Sequence, residues 1–157
     1  MSSSSSNWNR LITFIASEDH QTYSGQPVDD TLDVGLAYSQ GQKIQARILS
    51  PSTPSPLHPN AQLSSTIRTV KVLLPPLSAS QVGTIRALGA NFVQPNQKDA
   101  PAEAKKNRPK IPILFYKPPT ALSGPERDIV VPRVAKKDGD ETDYEVELVS
   151  WQKIPVH

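Results

Sequence analysis

Sixteen prolines divide this chain of 157 residues into pieces too short for a helical bundle. Proline has no amide hydrogen and its ring clashes with the preceding helical turn, so it ends helices and is kept out of central strands. The pieces between the prolines are short β-branched and apolar runs, which predict a β-rich fold. The apolar fraction is 36%, against about 45–50% for an average globular chain counted with glycine. The length suits one ordinary domain or two small modules.

Taken in order, residues 1–9 form a polar, disordered leader. Leu11–Ala16, Val34–Tyr38 and Lys43–Leu49 read as three strands, with turn residues from Asp19 to Pro27 between the first two. Together they predict a small antiparallel β module over residues 10–50. Residues 51–65 carry Pro51, Pro54, Pro56 and Pro59 with serines between, and read as an exposed linker. A second domain is expected over residues 66–149. It opens with a strand at Thr66–Leu74, where Ile67, Thr69 and Lys71 alternate with Arg68, Val70 and Val72. Gln81–Phe92 reads as a strand running into a glycine-bearing turn. Asp99–Lys106 predicts a short helix, with Asp99 or Ala100 at its cap and Pro101 in its first turn. Ile111–Tyr116 reads as a buried strand, Ile129–Pro132 as a short one and Lys136–Glu141 as a charged turn.

The last strand is the acidic one, Asp143-Tyr144-Glu145-Val146-Glu147-Leu148. Side chains alternate faces in a strand, so Asp143, Glu145 and Glu147 share one face and Tyr144, Val146 and Leu148 the other. Three like charges in a row need solvent, a basic partner or a cation. A hard cation such as Mg²⁺ takes oxygen ligands and often only one or two carboxylates. Alternation of this kind is also the ordinary mark of a strand with one face in water.

Other classes are excluded by composition. The net charge of +2, from 17 basic and 15 acidic residues, is too balanced to imply nucleic acid. The absence of cysteine removes disulfides and thiolate metal sites. The three histidines, His20, His58 and His157, are too far apart for a local zinc motif. No apolar run approaches the roughly 20 residues of a membrane span, and no basic segment leads into an apolar one at the N-terminus. A soluble intracellular protein is expected, in the cytoplasm, with the mitochondrion also open.

Three stretches together resemble the fumarylacetoacetate hydrolase family, in its acylpyruvase-like and decarboxylase-like branch. Gln81–Arg86 with Gly89-Ala90-Asn91-Phe92 resembles the family's entry strand and its Gly-x-Asn-Tyr turn. Ile113–Leu122 with Gly124-Pro125 resembles its Phe-x-Lys-Pro segment. Asp143–Leu148 resembles its Asp-Tyr-Glu-x-Glu-Leu metal strand. The resemblance implies a mostly β (α+β) fold: the small N-terminal β module, then part of a mixed β-sandwich or roll with short helices. It implies Mg²⁺, or Mn²⁺ or Ca²⁺, held in part by Glu145 and Glu147. It implies cleavage of C–C bonds in β-diketo or 2-oxo acids, with Asn91 and Lys117 against the substrate. Lys117 has a second reading, as the counter-charge to the acidic row.

The chain also departs from the family pattern. A His-x-x-Glu pair is expected shortly after the glycine turn, yet no histidine follows Phe92 before His157. Aligned from Phe115, Glu103 falls at the glutamate position and Ala100 at the histidine. Aligned from Asn91, Pro95 and Lys98 fall there instead. Glu103 is then the catalytic candidate, and Asp99 a helix cap. The third acidic ligand would lie past the acidic strand, and residues 150–157 do not match the pattern. These departures suggest a truncated or mis-spliced product that is weak or inactive, and whether the chain is itself an enzyme stays open. The alternative is a non-catalytic interaction module that dimerises with itself or with a full-length relative.

Overall fold

The computed structural model describes residues 8–53, 55–89, 111–139 and 149. The chain divides into two units, Met1–Arg127 and Asp128–His157. In the first unit, β1 (Ile12–Ala16), β2 (Thr22–Pro27), β3 (Gln45–Leu49) and β4 (Leu63–Leu74) form a closed antiparallel barrel. A short helix, α1 (Val34–Ser39), lies between β2 and β3 in sequence, and β5 (Ile85–Gly89) and β6 (Ile113–Lys117) make a separate two-stranded sheet. The expectation of a mostly β chain with few, short helices holds.

β4 closes the barrel because it is long enough to serve two neighbours. Its first part pairs with β3, from Leu49↔Leu63 to Gln45↔Thr69, and its second part with β1, from Ala16↔Val70 to Thr13↔Leu74. The register slips between Ile15 and Ala16, where Lys71 has no partner on β1. The turn after β1 ties this irregularity down. Ser17 N–H donates to Thr69 O at 2.9 Å, and the Glu18 carboxylate accepts the Thr69 N–H at 2.9 and 3.1 Å. The strand at 66–74, expected to open the second domain, therefore belongs to the barrel, and the module does not end at residue 50.

The core follows the period-two pattern of the strands. Ile12, Phe14 and Ala16 point inward from β1, and Ile44, Ala46 and Ile48 inward at β3, with Val34 and Ala37 of α1 packed against them. Phe14 is fully enclosed and its ring lies 6.4 Å from that of Tyr23. Thr13 is the one buried polar residue on β1; its hydroxyl donates to Pro76 O at 2.7 Å and lies 2.9 Å from Ser24 Oγ.

Two local expectations are corrected. Val34–Tyr38 is helix, not strand. Asp33 caps it, its carboxylate accepting the Leu36 N–H at 2.9 Å. At the other end Gly41 adopts φ +67°, and the Gln42 N–H reaches back to Ala37 O at 2.9 Å, which closes the helix as a Schellman turn. The segment 22–27, read as part of a turn, is strand β2. Its Gly25 faces Ile48 so closely that a Cβ would stand 2.3 Å from Arg47 O and 2.9 Å from Ile48 Cα. The narrow barrel leaves room there for backbone alone.

In the second unit, residues 128–132 form no ladder and Ile129 and Val130 are exposed, so the short strand expected there is absent. Arg133–Gly139 is a 3-10 turn where a charged turn was expected over residues 136–141. Among the described residues no helix is long and apolar enough to cross a membrane.

Two outcomes follow from the barrel. Gly25→Ala lowers the stability by about 1–3 kcal/mol of overpacking or more, since the clash is with backbone. Phe14→Ala costs about 3–5 kcal/mol. Urea denaturation followed by tryptophan fluorescence measures both. The acid limb of stability has a source in the β1–β2 turn. The Tyr23 hydroxyl at 2.7 Å, then the Gln21 N–H at 3.0 Å, hold the Asp19 carboxyl below its ordinary value, and Arg68 adds a favourable charge at 3.7 Å. The hydroxyl and N–H of Thr31 do the same for Asp29. A carboxyl lowered by folding stabilises above its unfolded value, near pH 4, and loses that contribution as pH falls through its folded value. Asp19→Asn therefore flattens the fall in melting temperature below about pH 4 and leaves the rest of the profile in place.

Candidate active site

The second expected domain is represented by the β5–β6 ribbon and the segment after it. Gly89 pairs with Ile113, Ala87 with Phe115 and Ile85 with Lys117. By strand alternation Ile113, Phe115 and Lys117 share one face, and Leu114 and Tyr116 the other. Both faces are thus largely apolar. β6 was expected to be buried, and it is not: Ile113 is 58% exposed, Leu114 53%, Phe115 41% and Tyr116 63%. A ribbon apolar on both faces needs a layer on each to bury it, and among the described residues its ladder partner is β5 alone.

Lys117 ends β6 with its ammonium 5.7 Å from the centre of the Phe115 ring, an exposed cation–π contact. The chain then leaves the sheet stiffly. Pro118 is extended, and Pro119–Ala121 makes a 3-10 turn, with the Ala121 N–H on Pro118 O at 2.9 Å. Proline fixes φ near −65°, so the direction of this exit is set by sequence.

Lys117 is the one expected site residue that the structure places. Asn91, Glu103, Glu145 and Glu147 lie outside the described residues, as do Asp99 and the helix expected at 99–106. Among the described residues no group of three His, Cys, Asp or Glu side chains could hold a metal ion. The carboxylates of the β1–β2 turn are already engaged, Glu18 by the Thr69 amide and Asp19 by Tyr23. Arg68 stands over the Tyr23 ring at 5.9 Å; its Nε, shielded from solvent, has no hydrogen-bond partner among the described residues, since the Asp19 oxygen at 3.7 Å is too distant for one. These groups hold the turn together.

One contact near the lysine segment had no signal in the sequence. The Tyr38 hydroxyl, on α1, hydrogen-bonds the Glu126 carboxylate, 88 residues away. Burial, and then this carboxylate, raise the Tyr38 phenol above its ordinary value.

The family model described as Fumarylacetoacetate (FAA) hydrolase C-terminal matches residues 84–155. Caffeoylpyruvate hydrolase of Neonothopanus nambi is 43% identical over 146 residues, which cover 92% of this chain and 48% of that protein. Together these matches support a member of the fumarylacetoacetate hydrolase family. A second relative, the fumarylacetoacetate hydrolase domain-containing protein 2 homolog of Dictyostelium discoideum, is 42% identical over 67 residues, or 43% of this chain and 19% of that protein. The chain thus spans about half the length of the first relative and less of the second. No solved structure matches. The family match continues past Val149 to residue 155, so the tail at 150–157, expected to fall outside the family pattern, lies within it but for its last two residues.

Proposed function

We propose that this chain carries the N-terminal module and part of the catalytic domain of a divalent-metal-dependent hydrolase that cleaves C–C bonds in acylpyruvate-type β-diketo or 2-oxo acids. The observation that carries this reading is the 43% identity to a caffeoylpyruvate hydrolase across 92% of the chain. The donor set fits the metal. Glu145 and Glu147 offer hard oxygens two residues apart in sequence, and the chain has no cysteine to favour a softer ion. Mg²⁺, with Mn²⁺ or Ca²⁺ in its place, would supply charge stabilisation to the oxygens of the oxo acid.

The chain's own residues divide the remaining work. Lys117 is exposed and free of any ion pair among the described residues, so its ammonium can receive the substrate carboxylate. Asn91, in the glycine-bearing turn, supplies a further polar contact. Glu103 would serve as the base that takes a proton from water. The family's histidine has no counterpart after Phe92. Without that histidine to take a proton from water, this chain by itself is slow or inactive.

Metal binding is tested by thermal melts with and without Mn²⁺ or Mg²⁺, for the wild type and for Glu145→Ala/Glu147→Ala. A ligand at about a hundred times its dissociation constant stabilises the native state by about 2.7 kcal/mol, which for a chain of this size is a rise of several degrees. The wild type is expected to rise and the double variant to stay. A melt indifferent to both metals would overturn the metal assignment. Cleavage of acylpyruvates, read by loss of their enol absorbance, is expected to be slow and to disappear in the same double variant.

A further inference from the structure

Lys117 is fixed at one end by the β5–β6 ladder, through its pairing with Ile85. The segment beyond it is fixed at the other end by the barrel. Pro118, Pro119 and Pro125 stiffen it, and its 3-10 turn is closed by the Ala121 and Leu122 amides at 2.9 and 3.2 Å. Gly124 then lies directly on the end of β4. A Cβ there would stand 3.1 Å from Pro75 Cδ, 3.6 Å from Leu73 O and 3.7 Å from Leu74 Cα. The Arg127 N–H closes a turn on Gly124 O at 3.1 Å, and that turn presents Glu126 to the Tyr38 hydroxyl. The Tyr38 ring is packed against the barrel core, so the hydroxyl is delivered from a firm base.

We propose that Tyr38 is a positioning residue for Lys117: by hydrogen-bonding Glu126 it clasps the 118–126 strap to the barrel and so sets where the Lys117 ammonium stands. Two independent contacts define the strap's far end, the Gly124 backbone against β4 and the phenol on the carboxylate. The N-terminal barrel thereby acts on the lysine without touching it. What the lysine meets rests on the oxo-acid reading above, whereas the clasp itself does not. The raised phenol value of Tyr38 agrees with a partly buried hydroxyl facing a carboxylate.

The test compares the wild type with Tyr38→Phe, Glu126→Gln and the double variant. Tyr38→Phe keeps the ring against the core and removes only the donor. Hydrogen exchange of the Leu122 and Arg127 amides, which close the strap's two turns, is expected to quicken about tenfold in each single variant, the scale of a lost hydrogen bond to a charged group. The double variant is expected to be no faster than the faster single, while the amides of β1–β4 keep their wild-type rates. The second readout is the labelling rate of the Lys117 amine by an acylating reagent, with Lys71 on the barrel as reference. That rate is expected to rise about threefold in either single variant as the lysine is freed from Phe115. Wild-type exchange in the strap, strictly multiplicative effects in the double variant, or an unchanged Lys117 rate would each overturn the proposal. Neither readout uses metal or substrate, so a failed metal response leaves the clasp standing and a failed clasp leaves the metal assignment standing.

Discussion

Everything in the first unit depends on β4 being shared between two neighbours. An antiparallel sheet of short strands has two open edges, and each edge is a row of unpaired amides and carbonyls. Here one twelve-residue strand satisfies both edges, pairing with β3 over its first half and β1 over its second. The slip at Lys71 is the local cost of turning from one partner to the other, and bulges of this kind bend a strand. Glu18 answers the cost by accepting the Thr69 amide. The interior that results is so narrow that Gly25 is required opposite Ile48, and alanines at 16 and 46 sit beside the larger Phe14 and Ile44.

Residues with period-two alternation were legible in the sequence. β1, β3 and β4 appear where Leu11–Ala16, Lys43–Leu49 and Thr66–Leu74 were read, because a half-buried strand writes its faces directly into the chain. Val34–Tyr38 was misread for a physical reason. Its β-branched and aromatic residues favour a strand locally, but the Asp33 cap and the left-handed Gly41 commit it to a helical turn. Both signals were present in the sequence. β2 was hidden because Gly25 and Pro27 look like turn residues, and only the facing strand explains why a glycine is needed.

The candidate site was legible in a different way. Motif order and spacing identified the family, and the family match then reached further along the chain than the motifs did. Motifs do not say which residues meet in space. Of the expected site residues only Lys117 is placed, and its apolar neighbours are exposed on both faces of the ribbon, which an apolar run cannot announce in advance. The pairing of Tyr38 with Glu126 has no sequence signature, since neither position is marked by period or spacing and 88 residues separate them.

The sharing of β4 also orders the steps of folding. The β1–β2 hairpin is local, but the strand that seals it, Thr13 against Leu74, comes from the far end of the module. Topologies dominated by such distant pairs fold slowly, because the loop must be closed before its contacts form. On a growing chain no version of this barrel is complete until Leu74 has left the ribosome, and until then β1 and β3 each expose an edge. The long connection between β3 and β4 adds little to that delay, since each doubling of a loop costs only about 0.6 kcal/mol. Insertions in the Pro51–Pro59 segment are therefore cheap, whereas shortening β4 by a few residues at either end would leave the barrel open.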